Sequence, residues 1–271
     1  VVLKEINWKC DLKTNFLNVN KGCKLAVSCG ISWFFDNEEE GIILEDDCLP
    51  NNDFYLFCES LLKKYKNDHR IWAVCGNGYQ VNKTNKKESY FFSKYVDVWG
   101  WATWKRCWKK YDKDMRSWKS NRELFLTNNI FGNHRELNYW KKIFDNLFFN
   151  KTPDTWDYQW QYLCFINSGM VCMPYCNLVQ NIGFGDGATH TTSEQTPPYF
   201  YTKKLGNIRF PLQHPTTFIM QKECDKHIQN TFYSGYPIFS RKGLIILLKK
   251  VLFKFRKIII RINKNLREKK L

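Results

Sequence analysis

Three consecutive carboxylates, Glu45, Asp46 and Asp47, follow directly on the apolar run Gly41, Ile42, Ile43 and Leu44. A short unbroken apolar run of this kind predicts a fully buried strand, and in open α/β sheets ligands sit beyond the carboxyl ends of the strands. Neighbouring carboxylates repel one another unless a cation or hydrogen bonds compensate them. An oxygen-only site of this sort suits a hard divalent ion, Mn²⁺ or Mg²⁺, shared with the phosphates of a substrate. The competing reading is a polar strand-to-helix turn with Asp46 or Asp47 near a helix N-terminus.

Such a turn needs helices and strands to hold it, and the flanking sequence predicts them. A loop from Asn20 opens a helix whose apolar face is Leu25, Cys29 and Trp33, joined by Ile31 and Phe34, and a polar break over 36–40 ends it. Residues 54–65 read as the next helix and 71–75 as a second buried strand, closed by Gly76, Asn77 and Gly78. Helix, strand, helix, strand at this spacing predicts an α/β fold with a mostly parallel, Rossmann-like sheet flanked by helices. The stretch 89–108 is aromatic and Gly-punctuated, and charged helical sequence continues to about Asn150. A further aromatic helix over 155–167 and short strands at 171–174 and 178–179 lead into a glycine-rich loop that runs from Asn181 to His190.

The segment Gly41 to Phe54 resembles the metal-site segment of the nucleotide-sugar glycosyltransferases related to N-acetylglucosaminyltransferase I. Those enzymes have a GT-A fold and a Glu-Asp-Asp version of the Asp-x-Asp motif, followed by a hydrophobic-Pro-x-Phe stretch. The preceding helix with Gly22 and Ala26, the Trp99-Gly-Trp101 element, the pair Trp156 and Asp157, and the glycine-rich loop ending at His190 recur in the same order. The pattern is closest to a bacterial group of sugar transferases and covers roughly residues 15 to 192.

The resemblance implies a metal site of Asp47, Asp46 and His190, with Asp47 ligating the ion that bridges the donor diphosphate. It places Glu45 and Asp46 at the donor sugar and ribose, and Gly185 and Gly187 where backbone approaches phosphate. Asp157 becomes the general base for an acceptor hydroxyl, with Asp154 a second candidate because the motif here departs from the paired acid of the eukaryotic enzyme. The bland alternatives are a helix-surface carboxylate for Asp157 and a backbone-bonded loop histidine for His190. Lys21 and Lys24 either meet donor phosphates or lie on a solvated helix start. Trp99 and Trp101 form either core or an acceptor-stacking platform. One base and in-line displacement imply inversion at the anomeric carbon.

The chain's 271 residues carry 42 Lys and Arg against 26 Asp and Glu, and 17% of them are aromatic. The basic excess is concentrated at the end: residues 241–271 hold twelve Lys and Arg against one Glu. Lys250, Lys254, Lys257, Arg261 and Lys264 share one helical face, and Leu244, Leu248, Val251, Phe255, Ile258 and Ile262 share another. That pattern fits an interfacial amphipathic helix on an anionic membrane surface, or a terminal helix docked on its own domain with a solvated basic face. A nucleic-acid reader would interleave cations with exposed aromatics throughout the body, so nucleic acid is not an expected partner. The 11 cysteines contain no CxxC pair, which argues for buried small apolar residues in a reducing compartment over a disulfide framework or zinc knuckle.

The resulting expectation is an inverting, metal-dependent glycosyltransferase that moves a sugar from a nucleotide-diphosphate donor to a glycan or lipid-linked acceptor, peripheral on the cytoplasmic face of a membrane. The competing classes are a metal-dependent nucleotidyl or phosphoryl transferase, which would ordinarily recruit a second acidic cluster, and a non-catalytic membrane-binding module. The expected organisation is a transferase domain over 1–192, a Pro/Thr/Lys-rich connecting region over 193–240 and the basic tail helix over 241–271. Nothing before Asn20 matches the nucleobase-holding strand of the resembled family, so upstream sequence is expected to be missing.

Overall fold

In the computed structural model the chain is described over residues 2–78, 87–127, 130–183 and 204–233, together with Ser240, Leu244 and Leu248. The elements run α1 (Val2–Glu5), α2 (Gly22–Asn37), β1 (Glu40–Ile43), β2 (Cys48–Pro50), α3 (Asn52–Tyr65), β3 (Ile71–Cys75), β4 (Tyr90–Ser93), β5 (Trp101–Trp104) and α4 (Lys105–Trp108). They continue with α5 (Trp118–Thr127), α6 (His134–Asp145), α7 (Asp157–Ile166), β6 (Met170–Pro174), β7 (Val179–Asn181) and α8 (Lys222–Ile228). The helix–strand alternation expected over residues 22–75 is present, with β2 added between β1 and α3.

The sheet is not the mostly parallel one that this alternation suggested. Its order is β1-β5-β3-β6-β4, and only the β3–β6 pair is parallel. β1 and β3 do run in the same direction, because each is antiparallel to β5, but β5 lies between them. The helix connecting two strands sets their direction and leaves their adjacency open. Adjacency here was decided by Trp101, Ala102, Thr103 and Trp104, all buried, which make β5 an interior strand. The Thr103 hydroxyl reinforces this by donating to the Trp72 carbonyl at 2.6 Å. β1, read as fully buried, is an edge strand and only half-buried. β2 and β7 form a separate two-stranded antiparallel sheet.

The face that α2 buries also differs from the expected one. Ile31 is buried as expected, but its companions are Ser28 and Phe35, whereas Leu25 and Cys29 are exposed and Trp33 and Phe34 are half-buried. The reason is the partner across the interface. Trp108 of α4 donates its indole N–H to Ser32 Oγ at 3.0 Å and lies beside the Phe35 ring. Ser28 and Ser32 bond carbonyls one turn back, at 2.6 and 2.8 Å, which satisfies their hydroxyls as the helix packs.

Six tryptophans (Trp101, Trp104, Trp118, Trp140, Trp156 and Trp160) are fully buried, so most of the indole content is committed to packing and not to an exposed stacking platform. All 11 cysteines are free thiols, six of them buried, in line with small apolar packing residues. Residues 204–233 pack back onto the sheet region. Met220 bridges to Phe92, the Gln221 N–H donates to the Phe92 carbonyl, and the Ile208 N–H donates to Asp53.

Arg106 closes the α3–β3 connection. Its guanidinium donates to four backbone carbonyls, those of Lys66 (3.1 Å), Tyr65 (3.1 Å), Asp68 (3.0 Å) and Ile71 (2.9 Å), while lying over the Trp104 ring. Those carbonyls run from the end of α3 through the loop to the first residue of β3, so one guanidinium ties the whole connection together, adding to the backbone bonds that Asp68 and Ile71 donate to Tyr65 and Asp68. Arg106→Met is expected to lower unfolding free energy in urea by roughly 2–4 kcal/mol, with Arg106→Lys recovering only part, because an ammonium cannot reproduce the planar fork. A loss below about 0.5 kcal/mol would show that water replaces the guanidinium at these carbonyls.

Candidate active site

The acidic turn lies between β1 and β2. The Cys48 N–H donates to the Glu45 carbonyl at 3.1 Å, and the Ile182 N–H, just past β7, donates to the Asp47 carbonyl at 2.8 Å. Pairing with β7 therefore anchors the far side of the turn. Asp46 is exposed, and Glu45 and Asp47 are half-buried. A Cβ on Gly183 would come within 2.3 Å of Asp47 Oδ2, so only glycine lets the chain pass this close to the carboxylate.

Asp157 arrives from more than a hundred residues further along the chain. It opens the first turn of α7, where the positive end of the helix favours an anion, and it accepts a hydrogen bond from the Thr155 hydroxyl. Trp156 sets its position. The Trp156 ring stacks on Trp101 of β5 (5.7 Å between centroids, 25° between planes), and its backbone carbonyl accepts from the Tyr111 hydroxyl at 3.0 Å. The Trp156 side chain also hydrogen-bonds Glu45. The stack thus joins the helix that carries Asp157 to the turn that carries the three carboxylates.

The electrostatics record the resulting crowding. Burial pushes the Glu45 carboxyl up to about 7, and the charges of Asp47, Asp157 and Asp46 add to it against the opposing hydrogen bond from Trp156. Burial likewise pushes the Cys23 thiol up to about 11, helped by Glu45, Asp157 and Asp154. The Tyr111 phenol is raised by burial and then by Asp157, Asp112 and Asp114. Asp154 lies against the start of α2, where Gly22 has φ +74° and a Cβ would meet Asp154 Oδ2 at 2.7 Å.

The structure therefore brings together Glu45, Asp47 and Asp157, with Asp46 at the exposed rim and Asp154 alongside. Lys21 is an exposed residue at the N-cap of α2, and Lys24 pairs with Asp114 at 3.7 Å. Trp99 is half-buried just before β5, its backbone N–H held by the Asp97 carboxylate at 2.8 Å. Trp101 is enclosed in the core and takes the packing alternative of the two that the sequence offered. Gly185, Gly187 and His190 lie outside the described residues. Cys23 and Tyr111 are site neighbours that the sequence reading missed, whereas Trp156 was already paired with Asp157 by the resemblance. Only Cys23, one residue past the expected helix start, carried a local signal.

The donor set fits a hard divalent cation in kind, since it offers carboxylate oxygens. Among the described residues no group of three or more His, Cys, Asp or Glu is placed to hold such an ion. Ions of this class are commonly held by one or two carboxylates and completed by substrate phosphates and water. Compared with known proteins, the chain matches no family model and has no significant match among curated proteins.

A carboxyl whose pKa rises on folding binds more protons folded than unfolded between the two values. It therefore draws stability away as pH climbs from about 4.5 to about 7. Glu45→Gln is expected to flatten this fall in thermal midpoint and to leave the protein about 1–2 kcal/mol more stable than wild type at pH 7.5. Burial also pushes Asp225 up to about 7, but it is present in both proteins and cancels in the difference. Parallel midpoint-against-pH curves would show that burial and the neighbouring charges do not raise the Glu45 carboxyl on folding.

Proposed function

We propose that this chain is a metal-dependent glycosyltransferase that moves a sugar from a nucleotide-diphosphate donor to a glycan or lipid-linked acceptor with inversion. The observation that carries the reading is that half-buried Glu45 lies in the field of both Asp47 and Asp157, two carboxylates that the resemblance assigned to different halves of one reaction. A single acidic turn would serve many roles. An acidic turn facing a carboxylate at a helix N-terminus supplies both a cation-holding side and a proton-accepting side.

In this reading the acceptor hydroxyl attacks the anomeric carbon as the carbon–oxygen bond to the diphosphate breaks. The nucleoside diphosphate leaves with the bonding electron pair, and the hydroxyl proton passes to Asp157. A divalent ion, Mn²⁺ or Mg²⁺, supplies electrostatic stabilisation of the departing diphosphate oxygen. Asp47 would be the principal residue to hold it, with Asp46 at the rim, and the resemblance adds His190 to the set. Glu45, held by the Trp156 side chain, orients the donor sugar, with Lys21, Gly185 and Gly187 at the donor phosphates. Trp99 stacks against the acceptor. The basic tail over 241–271 holds the enzyme on an anionic, cytoplasmic membrane surface, where a lipid-linked acceptor would be presented.

Asp47→Ala and Asp157→Asn are each expected to abolish sugar transfer while leaving the unfolding transition within about 1 kcal/mol of wild type. Turnover at the wild-type rate in either would remove that residue's role. With UDP, GDP, CDP and dTDP supplied in turn, one nucleotide at ~100 Kd is expected to stabilise the protein by about 2.7 kcal/mol only when Mn²⁺ is present. Failure of all four, with and without metal, would overturn the transferase reading.

The tail makes a separate prediction. Removing residues 241–271 is expected to abolish co-sedimentation with vesicles containing phosphatidylserine, and raising the salt concentration is expected to weaken binding of the full chain. Undiminished co-sedimentation of the shortened protein would place the membrane contact elsewhere.

A further inference from the structure

β4 is an edge strand of the five-stranded sheet, and the chain from Met220 onward packs along it. Met220 bridges to Phe92, and the Gln221 N–H donates to the Phe92 carbonyl at 2.8 Å. α8 follows at once and buries Cys224, Asp225 and Ile228. A cavity of about 960 Å³ opens beside this contact, at the amino ends of β3 and β6, where Arg70 and Met170 line it. Lys94, Glu136 and Asp225 also belong to its lining, and none of Glu45, Asp47 or Asp157 does.

Of the two acids on α8, Glu223 is exposed and Asp225 is only 5% exposed. The donors that Asp225 receives are neutral: the Ser93 hydroxyl at 2.6 Å and the backbone N–H of Lys94. Lys94 is the one buried cation among the described residues. Its ammonium lies 2.5 Å from Glu136 and donates to the Ile130 carbonyl at 2.8 Å, so the geometry gives its charge to Glu136. Two buried carboxyl groups thus share one buried ammonium, and an ionised Asp225 is left desolvated beside a second acid. A neutral Asp225 carries no such cost. The Ser93 hydroxyl can donate to the carboxylate or accept from the acid, so that contact serves either form.

The surroundings offer no second cation. β4 and the residues just after it bring Ser93, Lys94 and Tyr95, α6 brings Glu136, and the turn after α8 brings Gln229 and Tyr233. Tyr95 gives its hydroxyl to Glu136 and Gln229. On α8 itself Lys222, Glu223 and Lys226 are exposed, with Lys226 4.0 Å from Glu223, and His227 is half-buried. Arg70, across the cavity, is held by Asp68 at 2.7 Å.

We propose that Asp225 is a proton-operated latch: α8 and the turn after it are held on the β4 edge while the Asp225 carboxyl is protonated, and they loosen when it ionises, uncovering β4 and opening one wall of the cavity. Burial pushes this carboxyl up to about 7 against the Ser93 hydrogen bond and the charge and N–H of Lys94, and Glu136 adds to the rise. The closed form therefore keeps a proton that the open form has lost between an ordinary value of 3.8 and about 7. Opening becomes easier as pH climbs through that interval and levels off above it.

Amide hydrogen exchange of the full chain, corrected for the intrinsic exchange rate at each pH, reads this opening directly. The opening constant of amides in 220–233 is expected to rise about tenfold or more between pH 5 and pH 7.5. At pH 7.5 it is expected to exceed that of the β3 amides by at least ~tenfold, because α8 leaves while the sheet stays folded. Asp225→Asn keeps an acceptor for Ser93 and cannot ionise, so its opening constant is expected to stay level over the same interval. Glu136→Gln frees the Lys94 ammonium for Asp225 and is expected to shrink the rise. His227 is present in all three proteins and cancels in the comparison. Absence of the rise in wild type, a rise that both substitutions leave unchanged, or opening of 220–233 only together with β3 would each overturn the proposal.

Discussion

The stack of Trp156 on Trp101 is the contact on which the arrangement of the acidic site depends. Trp101 is fixed by β5, between β1 and β3, and cannot move without disturbing the sheet. Trp156 immediately precedes α7, so the stack fixes where that helix begins and therefore where Asp157 lies. The Trp156 side chain reaches Glu45 at the same time. An aromatic ring is suited to this task because it combines a large apolar area with one directional polar group. Packing locates the ring, and its N–H then acts on a charged neighbour.

That arrangement concentrates negative charge in a partly desolvated place. Folding must overcome the repulsion among Glu45, Asp47 and Asp157, and it does so with the helix start at Asp157, the hydrogen bond from Trp156 and a Glu45 carboxyl held near neutrality. Local repulsion tolerated by an otherwise well-packed core is a pattern associated with functional sites. The rest of the core is conventional by comparison. Its indoles interlock, its thiols are small apolar fillers, and the cations of Arg106 and Lys94 are matched to carbonyls or to a carboxylate.

The two edges of the sheet are thereby used differently. The carboxyl edge gathers acids at the turn after β1, and the amino edge carries a largely apolar cavity flanked by basic residues. The antiparallel placement of β5 produces the first arrangement directly. It brings Trp101 opposite Ile43 on one side and Cys75 on the other, so the tryptophan that positions Asp157 stands beside the strand that leads into Glu45.

Local pattern was enough to read α2, α3, α7, β3 and β6 nearly to their ends, because each depends on a run or period of apolar residues within its own segment. It also marked the acidic turn, since three adjacent carboxylates after a strand stand out without knowledge of any neighbour. Strand order, the inward face of α2 and the core position of Trp101 were not legible. Each depends on a partner far away in the chain: β5 for the sheet, Trp108 for α2, and Trp156 for Trp101. The sequence alone determined which residues could carry charge and chemistry and, outside β2, β4 and β5, much of which segments would be helix or strand. Only the tertiary structure decided that Asp157 comes near enough to Glu45 for its charge to act there, because non-local packing between rings selects among the many pairings that local periodicity allows equally.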